Sequence, residues 1–151
     1  MNNVIALNYA AYSREEQKLK LYLLSGKSGF TSYNTILSNF VRSDEKFVEV
    51  NANTLDYLLH QNGIDAVNWI KIDVEGAEFE VLKGATSILS KSKDIVLLIE
   101  LHDINYDYRP KIDFIKSYNF RMKFEKSYQE NEIMHMIIKK SKIPQFNKNR
   151  I

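Results

Sequence analysis

Two carboxylates, Asp73 and Glu75, separated by one residue and followed by Gly76, stand directly after the apolar run Trp69-Ile70-Lys71-Ile72. Burying a carboxylate is costly, so Asp73 at the end of an apolar strand needs a cation, a metal ion, backbone amides or a ligand. In the ligand reading, one or both carboxylates face a bound small molecule. Lys71 lies two positions before Asp73, on the same side of an extended chain, where it can pair with that carboxylate or touch a ligand. A second acidic group follows another apolar run: Glu100, His102 and Asp103 close the segment from Ile95. Of these, His102 can exchange protons near neutral pH.

Each residue also has a plainer reading. Asp73 can accept backbone amides of its own loop, Glu75 can cap the next helix, and Gly76 permits a tight turn. His60 suits a helix end, where a cation favours the dipole, and His135 begins a strand. Hard cations favour oxygen ligands, and Asp73, Glu75, Glu100 and His102 could supply them. Their spacing is not a metal signature, and no metal is assigned. No serine sits in a nucleophile-elbow pattern. Gly26-Lys27-Ser28 lacks the preceding spacing of a phosphate loop.

The elements that position these residues are legible from periodicity. Val4–Tyr9, Lys18–Leu23 and Lys46–Val50 read as strands. Thr54 can cap a helix beginning at Leu55, with Leu55, Leu58 and Leu59 on its buried side and Gly63 closing it. Trp69–Val74 is the next strand, and a helix is expected from about Glu78 to Ser90. Its interior Gly84 costs about 1 kcal/mol of helix propensity unless close packing requires it. Asp94–Leu101 is an apolar strand, so strand, helix and strand predict a parallel crossover that brings Glu75 and Glu100 to one sheet edge. A short helix around Ile112–Ser117 precedes two strands, Phe120–Phe124 and His135–Lys139, joined as a hairpin through Gln129-Glu130-Asn131-Glu132. Pro144 marks the expected end of order.

Composition sets the outer bounds. The chain has 151 residues, 44% hydrophobic and 26% charged, which fits one globular domain rather than a disordered chain. The absence of cysteine excludes disulfides, a thiolate nucleophile and thiolate metal sites. No apolar run is long enough to span a bilayer, and the amino terminus has no leader pattern, so a cytoplasmic protein is expected. Net charge is only +2, yet residues 111–151 carry ten Lys or Arg against four Asp or Glu. This basic end reads as a solvated terminus rather than a nucleic-acid or membrane surface.

The string Ile70-Lys71-Ile72-Asp73-Val74-Glu75-Gly76-Ala77-Glu78, continuing through Val81-Leu82-Lys83-Gly84-Ala85, resembles the FkbM family of S-adenosylmethionine-dependent methyltransferases. The later Val96-Leu97-Leu98-Ile99-Glu100-Leu101-His102 extends the likeness, with support from Asn3-Val4, Ala10, Gly29-Phe30-Thr31-Ser32 and Thr54-Leu55-Asp56.

The resemblance implies an α/β, partial Rossmann-like methyltransferase fold, with parallel strands and a C-terminal antiparallel hairpin. It also implies methyl transfer to a hydroxyl of a sugar or other small molecule. Asp73 and Glu75 would then lie beside donor and acceptor, with Lys71, Glu100 and His102 as further candidate catalytic residues. The family's Gly-rich donor loop and the following ribose-binding acid are not found here, and the sequence starts at what resembles the third core strand. Residues 1–143 are therefore expected to form an incomplete domain, followed by a polar basic tail at 144–151. An exposed sheet edge would follow, satisfied by self-association or by an N-terminal half on a separate chain. The contrasting expectation is a noncatalytic remnant or interaction module.

Overall fold

The computed structural model describes residues 3–15, 17–25, 32–36, 46–102, 109–128 and 133–140. The fold is mixed α/β, with both parallel and antiparallel strand pairs. Its first sheet contains β1 (Ala10–Ala11), β2 (Gln17–Ser25), β3 (Ser32–Thr35) and β4 (Phe47–Asn53), in the order β1-β4-β2-β3. The β1–β4 pair is parallel, whereas β2 runs antiparallel to both β3 and β4.

The apolar stretch Val4–Tyr9 is not a strand. Only Ala10 and Ala11 find a partner, at Ala52 and Asn53, and Val4 remains 82% exposed. A short apolar run bounded by asparagines could not show that the preceding residues have no strand partner among the described residues.

Helix α1 (Leu55–Gln61) starts as its sequence dictates, with Thr54 Oγ1 accepting the Tyr57 amide at 3.1 Å. Gly63, just beyond Asn62, takes the left-handed conformation with φ 69°.

The second sheet contains β5 (Trp69–Ile72), β6 (Val96–His102), β7 (Phe120–Tyr128) and β8 (Ile133–Lys140), in the order β5-β6-β8-β7. Strands β5 and β6 are parallel, while β8 is antiparallel to both its neighbours. The expected crossover and hairpin are therefore both present. Pro144 and the turn 129–132 lie outside the described residues, as does Asp103.

The single helix expected over Glu78–Ser90 is two: α2 (Glu78–Lys83) and α3 (Thr86–Lys91). Gly84 lies at the break because Tyr12 passes too close for a side chain: a Cβ there would meet the Tyr12 carbonyl oxygen at 2.0 Å. Helix α3 has no cap of its own. Asp56 supplies one from α1, accepting the Ser87 and Ile88 amides at 2.7 and 2.8 Å. At the other end of α3, Lys140 Nζ donates to the carbonyls of Leu89, Ser90 and Ser92.

Helices α2, α3 and α4 (Arg109–Ser117) contribute to the core on one face of the second sheet. Leu82, Leu89, Ile95, Leu97, Ile99, Leu101, Ile115 and Met136 are all essentially inaccessible to solvent. Along β6 burial alternates strictly, so Leu97, Ile99 and Leu101 enter the core. Glu100 and His102 consequently share the other face. None of the helices among the described residues is long and apolar enough to cross a membrane.

Candidate functional site

The acidic turn is built by the end of β5. Ile72 pairs with Ile99 and is buried, after which the chain leaves the sheet through Asp73 and Val74. Glu75 then adopts φ 50° and Gly76 φ 101°. Positive φ is natural for glycine and uncommon for glutamate, whose Cβ crowds the backbone there. That left-handed step returns the chain toward α2. The Ala77 amide closes the turn on the Val74 carbonyl at 3.3 Å.

The structure brings together four of the five sequence candidates around one imidazole. His102 Nε2 lies 3.4 Å from Glu75 Oε2 and 3.8 Å from Glu100 Oε1. Glu75, His102 and Asp73 each present a ligand-type atom within 4.8 Å of the others. Lys71 is at the margin: its Nζ donates to Asp73 Oδ2 at 2.7 Å while the side chain stays 61% exposed. The pairing of Lys71 with Asp73, anticipated from their two-residue spacing, is thus realised.

Two residues join the cluster that the sequence reading did not include. Glu78, in the first turn of α2, is completely buried, and its Oε1 lies 2.9 Å from His102 Nδ1. A carboxylate accepts hydrogen bonds, so Nδ1–H donates and Nε2 is turned toward Glu75 and Glu100. The same Oε1 accepts the Gly76 amide at 2.8 Å. Glu78 thereby takes the backbone-binding role that Glu75 could have filled, leaving Glu75 directed at His102. Glu78 Oε2 has no hydrogen-bond partner among the described residues. The other addition is His135, directly across from Glu100 in the β6–β8 register, with Nε2 3.3 Å from Glu100 Oε1. His60 remains in the last turn of α1, away from this group.

The electrostatics reflect this crowding. His102 has its pKa raised, first by the hydrogen bond to Glu78, against the opposing effect of burial, and then by the charges of Glu75, Glu78 and Glu100. Glu75 is also raised, chiefly by burial, with Asp73, Glu100 and Glu78 adding repulsion and His102 opposing it. The pair therefore holds a proton-binding imidazole against a carboxylate surrounded by other acids.

Two clefts bordered by described residues lie elsewhere. One, bordered by Tyr12, Arg14, Gln17, Leu19, Glu80 and Lys83, has a volume of about 610 Å³. The other, of about 250 Å³, is bordered by Asp56, Tyr57, His60, Asp65, Ser87 and Lys91. Neither includes Asp73, Glu75, Glu100 or His102 in its wall.

Comparison with curated proteins gives no match, and comparison with solved structures gives none either. A family model described as the methyltransferase FkbM domain matches residues 2–124, a span that takes in the first sheet, β5, β6 and the start of β7, with the acidic turn and the imidazole beside it. On that match the chain belongs to the FkbM methyltransferase family.

Proposed function

We propose that the protein transfers a methyl group from S-adenosylmethionine to a hydroxyl oxygen of a sugar or another small molecule, at the turn following β5. Family membership supports methyltransferase chemistry. The observation that carries the siting is the left-handed Glu75, whose carboxylate stands beside His102 and Glu100 at the carboxyl ends of two parallel strands. Ligands of open α/β sheets bind at such strand ends. The order β5-β6-β8-β7, with β8 antiparallel, agrees with one half of a Rossmann-like methyltransferase sheet.

The residues present suit the donor. A cluster of carboxylates favours a nearby sulfonium cation and accepts hydrogen bonds from ribose hydroxyls. When bound, the donor supplies an electrophilic methyl on that sulfonium. Asp73 and Glu75 hold the acceptor hydroxyl by accepting its hydrogen bond. With the donor bound, one of these carboxylates would take up the hydroxyl proton as the acceptor oxygen is methylated. Lys71 keeps Asp73 oriented, and Glu100 and His102 fix Glu75 from the other side. Placement of the two reactants accounts for much of the acceleration.

A second reading is favoured by one observation. Strand β5 ends its sheet, and Trp69 upon it is 68% exposed. An edge left unpaired among the described residues accepts another strand, so the donor site is completed by a partner chain, or the domain acts as an interaction module without catalysis.

Calorimetry with the purified full chain separates these readings. Donor binding, followed by methyl transfer to hydroxylated acceptors, is the outcome expected of an independently functional enzyme. Absence of binding at millimolar donor rejects that version, and a strictly monomeric, well-folded solution state counts against association through β5.

A further inference from the structure

We infer that Asp73, Glu75 and His102 form a binding site for a divalent first-row metal cation, with Glu78 as the positioning residue behind the imidazole. The inference stands on coordination geometry and does not depend on methyl transfer. Each of the three residues offers a ligand atom, all within 4.8 Å of one another. Ligands held about 2.1 Å from one ion stand roughly 3 to 4 Å apart. The 3.4 Å between His102 Nε2 and Glu75 Oε2 falls in that range.

The imidazole is prepared for the role from its far side. Metal-bound histidines characteristically donate their other ring N–H to a carboxylate or carbonyl, which fixes the tautomer and raises ligand basicity. Glu78 does this at 2.9 Å, from a fully buried side chain. Its second oxygen has no hydrogen-bond partner among the described residues, so a buried carboxylate directed at the imidazole lacks full compensation. A cation on the opposite side of His102 would polarise the ring and strengthen the hydrogen bond that Nδ1–H donates to Glu78 Oε1.

The surrounding charges point the same way. Glu100 Oε1 lies 3.8 Å from His102 Nε2, adding a further oxygen at the rim. Opposing them, Lys71 bonds Asp73 from a largely exposed position. An exposed ion pair is weak and readily exchanged for a multivalent ion. One imidazole nitrogen with two or three carboxylates is a mixed N/O donor set, which suits Mn²⁺ or Zn²⁺ better than Ca²⁺. Sequence spacing conceals the site because His102 reaches the turn from the neighbouring strand rather than from a contiguous motif.

The test uses the full chain stripped of metal by a chelator. Titration with MnCl2, followed by the loss of the free-ion electron paramagnetic resonance signal, should reveal one saturable class of site, and Zn²⁺ should compete for it. Electron spin-echo measurements on bound Mn²⁺ should detect a directly coordinated nitrogen. Glu75→Gln and His102→Gln should each weaken binding by about 10-fold or more, and Glu78→Gln by roughly 10- to 100-fold. Asp94→Asn, at the exposed pair with Lys139, should leave binding unchanged. If His102→Gln fails to fold by circular dichroism, Glu75→Gln and the nitrogen signal of the unaltered protein decide the matter. Failure to bind either metal on the order of 1 mM, binding undiminished in Glu75→Gln, or bound Mn²⁺ without a nitrogen signal overturns the inference.

Discussion

Glu78 Oε1 meets His102 Nδ1 at 2.9 Å, joining a fully buried residue of α2 to the last residue of β6. This contact decides which ring nitrogen faces the acidic turn. It also ties the candidate site to the helical layer, so predictions about the fold and about the site share the same framework.

Gly84→Ala should destabilise the protein by about 1 to 3 kcal/mol or more, because overpacking displaces neighbouring atoms. Helix propensity alone gives the opposite sign, a gain of about 1 kcal/mol. The added Cβ would lie 2.0 Å from a backbone oxygen, which cannot swing away as a side chain does. Urea unfolding of the two proteins reads the sign directly.

Asp56→Ala should cost about 1 to 2 kcal/mol, since it frees two amides at the start of α3. Asp56→Asn keeps one acceptor oxygen and should lose less. Thermal melting of the three proteins gives the order wild type, Asn, Ala. Equal melting temperatures would show that the trans cap contributes nothing.

Leu82→Ala should lower stability by about 2 to 5 kcal/mol, because its side chain has no exposed surface and its removal leaves a cavity. Trp69→Ala should change the stability of the monomer by no more than about 0.5 kcal/mol, since Trp69 is 68% exposed. A much larger loss for Trp69→Ala that grows with protein concentration would reveal an assembly through β5.

Acid should weaken the contact that Glu80 of α2 makes with Ser13, between β1 and β2. Burial alone would raise this carboxyl, but hydrogen bonds from Lys83 and Ser13, with the charges of Lys83 and Arg14, outweigh it and the pKa is lowered from 4.5. A carboxylate with a lowered folded-state pKa stabilises fully above its unfolded value and loses that contribution as pH falls through the folded one. Glu80→Gln should therefore be less stable than wild type at neutral pH, with the gap narrowing below about pH 4.5. Melting curves from pH 7 to pH 3 test this, and a constant gap would contradict it.

Much of the framework was legible in the sequence because the signals are local. Thr54 caps the helix that follows it, and the apolar runs at Trp69 and Val96 form the parallel pair. The acidic turn and Glu100 were found because carboxylates ending apolar strands demand partners. What escaped were long-range relationships. The requirement for glycine at the break between α2 and α3 comes from Tyr12, and the cap of α3 comes from Asp56, both far away in the chain. Glu78 stands in the first turn of a helix, where an acid is commonplace, and its buried contact is made with the end of β6. His135 gained its meaning from the strand register, which sets it opposite Glu100. Val4–Tyr9 shows the reverse error, an apolar pattern with no strand to pair with among the described residues.

The backbone at Glu75 has φ 50°, a conformation that glycine adopts without the crowding a glutamate incurs. A library of variants screened solely for heat resistance should thus accumulate glycine at position 75, gaining firmness while erasing the carboxylate. Retaining the glutamate under a screen for binding or turnover would be the mark of a residue kept for what it does rather than for how well it folds.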